Sequence, residues 1–203
     1  MNYRKMLGLV LAIAAVTMAF AGSGTASATT LCADTACTET YAAGTTLHLK
    51  AEKELFQYPH LGTECGLETY QAKTTNSGGA TETVQANFES NSTECGGGSE
   101  ICTWVFLKKG TWEIHTDKED GRTTGENGTL TSNGAEITVN CFGHCVYRTS
   151  NTPMGTITGG SPATLHTSAM VPRVGGKSGV ACGTQIHWTG SYQVTSPSSL
   201  WVK

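Results

Sequence analysis

The chain has 203 residues, with 13 basic against 16 acidic side chains, a net charge of −3 and only 14% charged residues. So sparse and mildly acidic a surface lacks the basic footprint that nucleic acid or anionic lipid requires, which excludes both as expected partners. At this length one domain can bury a sizeable core, so the eight cysteines reinforce a core rather than replace one.

The first element is an export signal. Arg4 and Lys5 supply the charged start, Met6 to Phe20 an apolar run too short to span a bilayer comfortably, and Ala26-Ser27-Ala28 the small-residue cleavage site. Residues 1–28 are therefore expected to be removed as a signal peptide, leaving 29–203 as a single secreted domain that begins at Thr29. No second long apolar segment follows Phe20, so no membrane insertion is expected after cleavage. Outside the reducing cytosol an even cysteine count reads as disulfides.

Beyond the signal, helical periodicity is nearly absent. The one helix candidate, Leu49 to Tyr58, is short and ends at Pro59. Strand alternation recurs in Thr45 to Ala51, Thr81 to Phe88, Ile101 to Leu107, Thr111 to Thr116, Ala135 to Cys141, Cys145 to Thr149, Met154 to Thr158 and Ala163 to Val171. It is clearest in Gln185 to Thr195, where Ile186, Trp188, Gly190, Tyr192 and Val194 share one face. Gly and Asn clusters separate these runs, and Asn133-Gly134 is the best hairpin signal. About ten short strands with such turns predict an all-β chain, an antiparallel β-sandwich or jelly roll reinforced by disulfides.

Eight cysteines allow about a hundred connectivities, so spacing does not fix the pairing. Proximity suggests Cys32 with Cys37, Cys95 with Cys102 and Cys141 with Cys145, which leaves Cys65 to meet Cys182. Cys141-Phe142-Gly143-His144-Cys145 crowds three potential metal ligands, but zinc sites want two well-spaced pairs and thiols oxidise in this compartment. Neither a metal nor a cofactor is expected.

A catalytic alternative rests on Glu113 and Asp117, which would share a face with His115 if their strand continued, since two carboxylates across a groove are the equipment of glycoside hydrolysis. Against it, Asp117-Lys118-Glu119-Asp120-Gly121-Arg122 reads as a solvated turn, which leaves strand twist to bring Glu113 opposite a carboxylate such as Glu136 or Glu82. No Gly-x-Ser-x-Gly elbow, Walker loop or His-Glu-x-x-His helix occurs. Of the tryptophans, Trp104, Trp112 and Trp188 alternate with apolar residues and read as core, which leaves Trp201 as the candidate for an exposed binding platform. Arg173, in Val171-Pro172-Arg173-Val174, would suit a trypsin-like pocket if the chain were a protease inhibitor.

Leu31-Cys32 with Cys37, Tyr41-Ala42-Ala43-Gly44-Thr45, the pairs Cys95/Cys102 and Cys141/Cys145, Gly159-Gly160-Ser161-Pro162-Ala163, Cys182, and Trp188-x-x-x-Tyr192-x-Val194-x-Ser196-Pro197 with Leu200 resemble a paralogue-rich family of secreted proteins from soil actinobacteria. The resemblance spans nearly the whole mature chain. It implies export, local cysteine pairs and a β-rich fold, and brings no ligand or catalytic residue to carry over. Gly190-x-Tyr192-x-Val194 also resembles the last strands of bacterial immunoglobulin-like domains, although the cysteines around Trp104 do not follow the immunoglobulin spacing. Together these readings predict a non-enzymatic binding or structural module of the cell envelope, with a cell-wall glycan or another secreted protein as partner. The alternatives are a polysaccharide hydrolase using Glu113 and Asp117, or a protease inhibitor.

Overall fold

The computed structural model describes residues 29–58, 61–65, 69–79, 82–90, 102–107, 109–116, 127–141, 143–179 and 182–203, with backbone alone at 52–53, 58, 61–65, 90, 102–107 and 141. Burial alternates residue by residue in β4 (Thr69–Thr74), β8 (Gly110–Thr116), β9 (Asn127–Asn133) and β13 (Thr164–Pro172). A period of two is what a sheet with one dry and one wet face imposes, because successive side chains point to opposite sides.

Those four strands, with β2 (Thr46–Tyr58), β6 (Val84–Ser90), β12 (Thr152–Thr158) and β14 (Gln185–Ser196), pair antiparallel in the order β2-β4-β6-β8-β9-β12-β13-β14. β14 then pairs back onto β2, so the sheet closes into an eight-stranded barrel. The all-β expectation therefore holds, but the two stacked sheets of a sandwich or jelly roll give way to one sheet closed on itself. Alternation does not distinguish these, since each has one dry face; the pairing of β14 with β2 does. The barrel interior is filled, as is usual at this strand number. Phe88, Ile114, Leu130, Met154, Leu165, Ile186 and Trp188 are almost fully buried. Each such side chain contributes about 1.5–3 kcal/mol relative to exposure.

The segment from Leu49 to Tyr58, expected as a helix, lies in β2. Its pattern misleads because the alternation changes phase: Leu47, Leu49 and Ala51 are buried, and then Glu54 and Phe56. Opposite β14, Ala51 pairs with Tyr192 and Lys53 with Ser191, which leaves Glu52 as the extra residue of a β-bulge. β3 (Leu61–Cys65) covers the second half of β2 while β4 covers the first.

Two small sheets lie outside the barrel. β7 (Cys102–Leu107), β10 (Glu136–Cys141) and β11 (His144–Arg148) form one, in the order β11-β10-β7. The Asn133-Gly134 turn, expected to close a hairpin, instead hands the chain from β9 in the barrel to β10 in this sheet, and the two strands do not pair. Gly134 does take the positive φ, 76°, that turn chemistry predicts, but a corner between sheets uses that conformation as readily as a hairpin does. β1 (Thr29–Cys32), β5 (Gly78–Gly79) and β15 (Trp201–Val202) form the other sheet. There Thr30 N donates to Lys203 O at 2.8 Å and Lys203 N returns a bond to Thr30 O at 3.0 Å.

Cys32 is joined to Cys37, as proximity suggested. Cys145 is joined to Cys182 across 37 residues, which replaces both the expected Cys141–Cys145 and Cys65–Cys182 pairs. In the β10–β11 hairpin the partner of Cys145 is Val139, whereas Cys141 stands in register with Cys102 on β7. Cys95 lies outside the described residues, as do the side chains of Cys65, Cys102 and Cys141. The longer bridge ties β11 to the connection between β13 and β14, and by loop length it removes about 4 kcal/mol of chain entropy from the unfolded state, against about 2 kcal/mol for Cys32–Cys37.

Candidate functional site

Two polar clusters occupy the barrel, one inside and one outside. The inner one is centred on Glu54, which the bulge at Glu52 turns inward and which has no exposed surface. Its Oε1 accepts hydrogen bonds from Trp188 Nε1 at 2.7 Å and from the Tyr192 hydroxyl at 2.6 Å, and its Oε2 accepts one from the Tyr70 hydroxyl. Trp188 Nε1 also lies 2.9 Å from the Tyr192 hydroxyl. Burying a carboxylate costs several kcal/mol, and a hydrogen bond to a charged group contributes about 1.5–3 kcal/mol. Three donors are thus of the order needed to hold Glu54 in place.

The backbone prepares this cluster. Glu54 and Thr167 flank Gly190 in register on either side of β14. A Cβ at Gly190 would stand 2.5–2.7 Å from the ring and hydroxyl of Tyr192, so only glycine lets that ring fold back over the row and bring its hydroxyl to Glu54. Tyr70 meets Tyr192 edge-on at 5.4 Å, and Phe56 packs on Trp188 at 5.6 Å. Burial first, then the charge of Glu54, pushes the pKa of Tyr192 well above its ordinary value of 10.0. With Tyr70, Trp188 and Tyr192 each at most 3% exposed, no solute reaches the carboxylate, and the cluster is structural.

The outer cluster lies on the wet face of β6, β8 and β9. Asn87, Thr111 and Asn133 stand in one cross-strand row, and Gln85, Glu113 and Thr131 in the next. With Thr75 and Asn151 at its margins, this face encloses a trough of about 340 Å³. Glu113 Oε1 accepts from Thr83 Oγ1 at 3.2 Å and from Gln85 Nε2 at 3.4 Å, while Oε2 faces His115 Nε2 at 3.8 Å. Asn76 clamps the edge of the trough, donating from Nδ2 to Thr83 O at 2.9 Å and accepting from Gln85 N at 2.8 Å.

The residues singled out from sequence are distributed unevenly around this geometry. Glu113 lines the trough, and Asp117 lies outside the described residues. The residues opposite Glu113 are Gln85 and Thr131, not a carboxylate. Glu136 is buried on the side sheet, bridged to Arg148 at 2.6 Å and to Lys177 at 3.3 Å, and Glu82 is exposed beside Gly79. Trp201 is half-buried in β15, paired with Cys32. Arg173 donates from its backbone to Thr184 O at 2.9 Å and from Nη1 to Cys182 O at 2.7 Å, so it is tied down rather than displayed. Among the described residues no group of three or more His, Cys, Asp or Glu is placed to hold a metal ion.

Sequence reasoning missed Glu54 and the trough. The phase break between Ala51 and Glu54 was the available signal for the first. The polar alternation Gln85-x-Asn87 and Thr111-x-Glu113 marked the wet faces that form the second, but not that they adjoin. Compared with protein-family profiles, curated proteins and solved structures, the chain finds no match.

Proposed function

We propose that residues 29–203 are exported as one domain after removal of the signal peptide, and act outside the cell as a non-catalytic binding module of the envelope, with a cell-wall glycan or a secreted protein as partner. The observation that carries this reading is the outer trough, a formed polar site in which Glu113 stands among amides and hydroxyls. A glycosidase needs two carboxyl groups about 5–9.5 Å apart across a groove, one of them held as an acid. The Cys32–Cys37 and Cys145–Cys182 disulfides are compatible with an oxidising compartment, and among the described residues no helix is long and apolar enough to cross a membrane. The sequence resemblance to secreted actinobacterial proteins points the same way.

The experiment is retention of the oxidised mature protein on purified cell envelope, run beside a polysaccharide turnover assay of wild type and Glu113→Gln. Retention without turnover supports the module. Turnover that Glu113→Gln abolishes, with folding intact, would establish the hydrolase that uses Glu113 and Asp117 instead.

A further inference from the structure

We propose that the trough on β6, β8 and β9 is a subsite for an uncharged, hydroxyl-rich ligand, a neutral saccharide, held by Asn87, Asn133, Asn151 and Glu113. This rests on the binding reading above and names its site and ligand class.

The side-chain amides of Asn87, Asn133 and Asn151 make no hydrogen bond to the described residues, and the Oε2 atom of Glu113 has only the loose contact to His115. Each amide presents a donor and an acceptor side by side, and Glu113 adds the acceptor Oε2, its Oε1 being held by Thr83 and Gln85. A hydroxyl is likewise donor and acceptor at once, so a ring carrying several of them matches such a lining better than any ion does.

Other ligand classes fit worse. Among the described residues no Lys or Arg lines the trough, Lys73 standing beside it in register with Asn87 on β4, and the one charge in the lining is negative, which disfavours phosphate or sulfate. A hard cation would find, among the described residues, one carboxylate to offset its charge, where tight sites gather several charged ligands. An apolar ligand would find no outward apolar side chain, because Ala86 and Trp112 both turn into the core. The volume, about 340 Å³, sits at the small end of ligand sites and suits a short glycan segment rather than a protein surface.

The site is also preorganised. It is built on three hydrogen-bonded strands, its floor is backed inside the barrel by Phe88 stacked on Trp112 at 4.5 Å, and Asn76 pins its rim. Side chains on adjacent strands stand about 4.8 Å apart and those along one strand nearly 7 Å apart, so the two rows form a grid that a ring and its neighbour can span. The backbone of the site then needs little ordering on binding, which limits the entropic cost to the Asn side chains.

The test is NMR titration of the oxidised mature protein with soluble cellotetraose, chitotetraose and maltotetraose at millimolar concentration, with inorganic phosphate and calcium chloride as parallel arms. At least one oligosaccharide should shift the side-chain amide signals of Asn87 and Asn133. The double variant Asn87→Ala/Asn133→Ala should bind that oligosaccharide at least tenfold more weakly while keeping its melting temperature. No shift with any of the three sugars, shifts only with phosphate or calcium, or binding that the double variant leaves unchanged would each overturn the proposal. Retention on cell envelope separates the two readings: if the double variant is retained like the wild type, the saccharide trough is wrong and the binding module stands, whereas if the wild type is not retained, the module reading itself is wrong.

Discussion

Glu54 and Glu113 are carboxylates on one barrel wall, the first facing in at the β2–β14 seam and the second facing out across the barrel on β8. Among the donors to Glu54 are Tyr70, Trp188 and Tyr192, in a dry interior where a lost hydrogen bond is not replaced as it is at the surface. Glu113 has two longer bonds to one oxygen, and solvent reaches the other. The contrast shows how one residue type divides its work: in the dry interior it specifies how the barrel closes, and on the wet face it remains available to something else.

The largest test of that division is Glu54→Ala. Removing the acceptor leaves the hydroxyls of Tyr70 and Tyr192 and the indole N–H of Trp188 buried without it, and should cost about 3–5 kcal/mol in chemical denaturation. Glu54→Gln keeps the shape and one acceptor oxygen, and should fall between that value and the wild type. A Glu54→Ala midpoint within error of the wild type would break the contrast outright.

Gly190→Ala asks whether the enclosure depends on the folded-back Tyr192 ring. The new methyl group would meet that ring at 2.5–2.7 Å, with a loss of about 1–3 kcal/mol expected from overpacking. The near-ultraviolet circular dichroism of Tyr192 and Trp188 should change with it; an unchanged spectrum and midpoint would mean that the ring has room the geometry does not show.

A third test uses alkaline pH. Because the pKa of Tyr192 is raised, its stabilisation is intact below the ordinary tyrosine value of 10.0 and is lost as pH climbs from there toward the folded-state value. In that window the unfolded chain releases a proton that the folded chain keeps, so stability should fall by about 1.4 kcal/mol per pH unit for this one group. Tyr192→Phe should lower stability at neutral pH but flatten the alkaline slope, and a slope identical to the wild type would remove Tyr192 as its source.

The smallest effects belong outside. Glu113→Gln should change stability by no more than about 0.5 kcal/mol, as surface substitutions usually do. Asp34 is a counterpart at the surface, half-buried, its carboxyl held below the ordinary 3.8 by the Thr38 hydroxyl and then the Thr38 N–H. Its contribution is present above that value and fades as pH falls below it, so Asp34→Asn should alter only the acid end of the stability profile, and only slightly.

Particular residues show how much could be read in advance. Ile186, Trp188, Tyr192 and Val194 do face the core on one strand, because alternation within a strand is a local property that twelve residues display by themselves. Glu54 escaped notice because the bulge beside it breaks the local period and makes a strand look like a helical turn. Gly134 has the backbone conformation its type suggests, yet which strand follows it in space was open. Cys182 found Cys145 rather than Cys65 because pairing depends on which loop packs beside β11.

Sequence alone determined the all-β character, many of the strands and their dry faces, since each follows from the alternation of a few neighbouring residues, but not the second half of β2, the strand β4 or the path of the chain after Gly134. Only the tertiary structure decided that β14 returns to β2, that Gly190 stands between Glu54 and Thr167, and that Asn87, Thr111 and Asn133 line up across three strands. Those are matters of register between segments as much as 148 residues apart, as Ser196 is from His48. Register is set by the joint packing of all eight strands around one interior, and no single stretch of chain contains it.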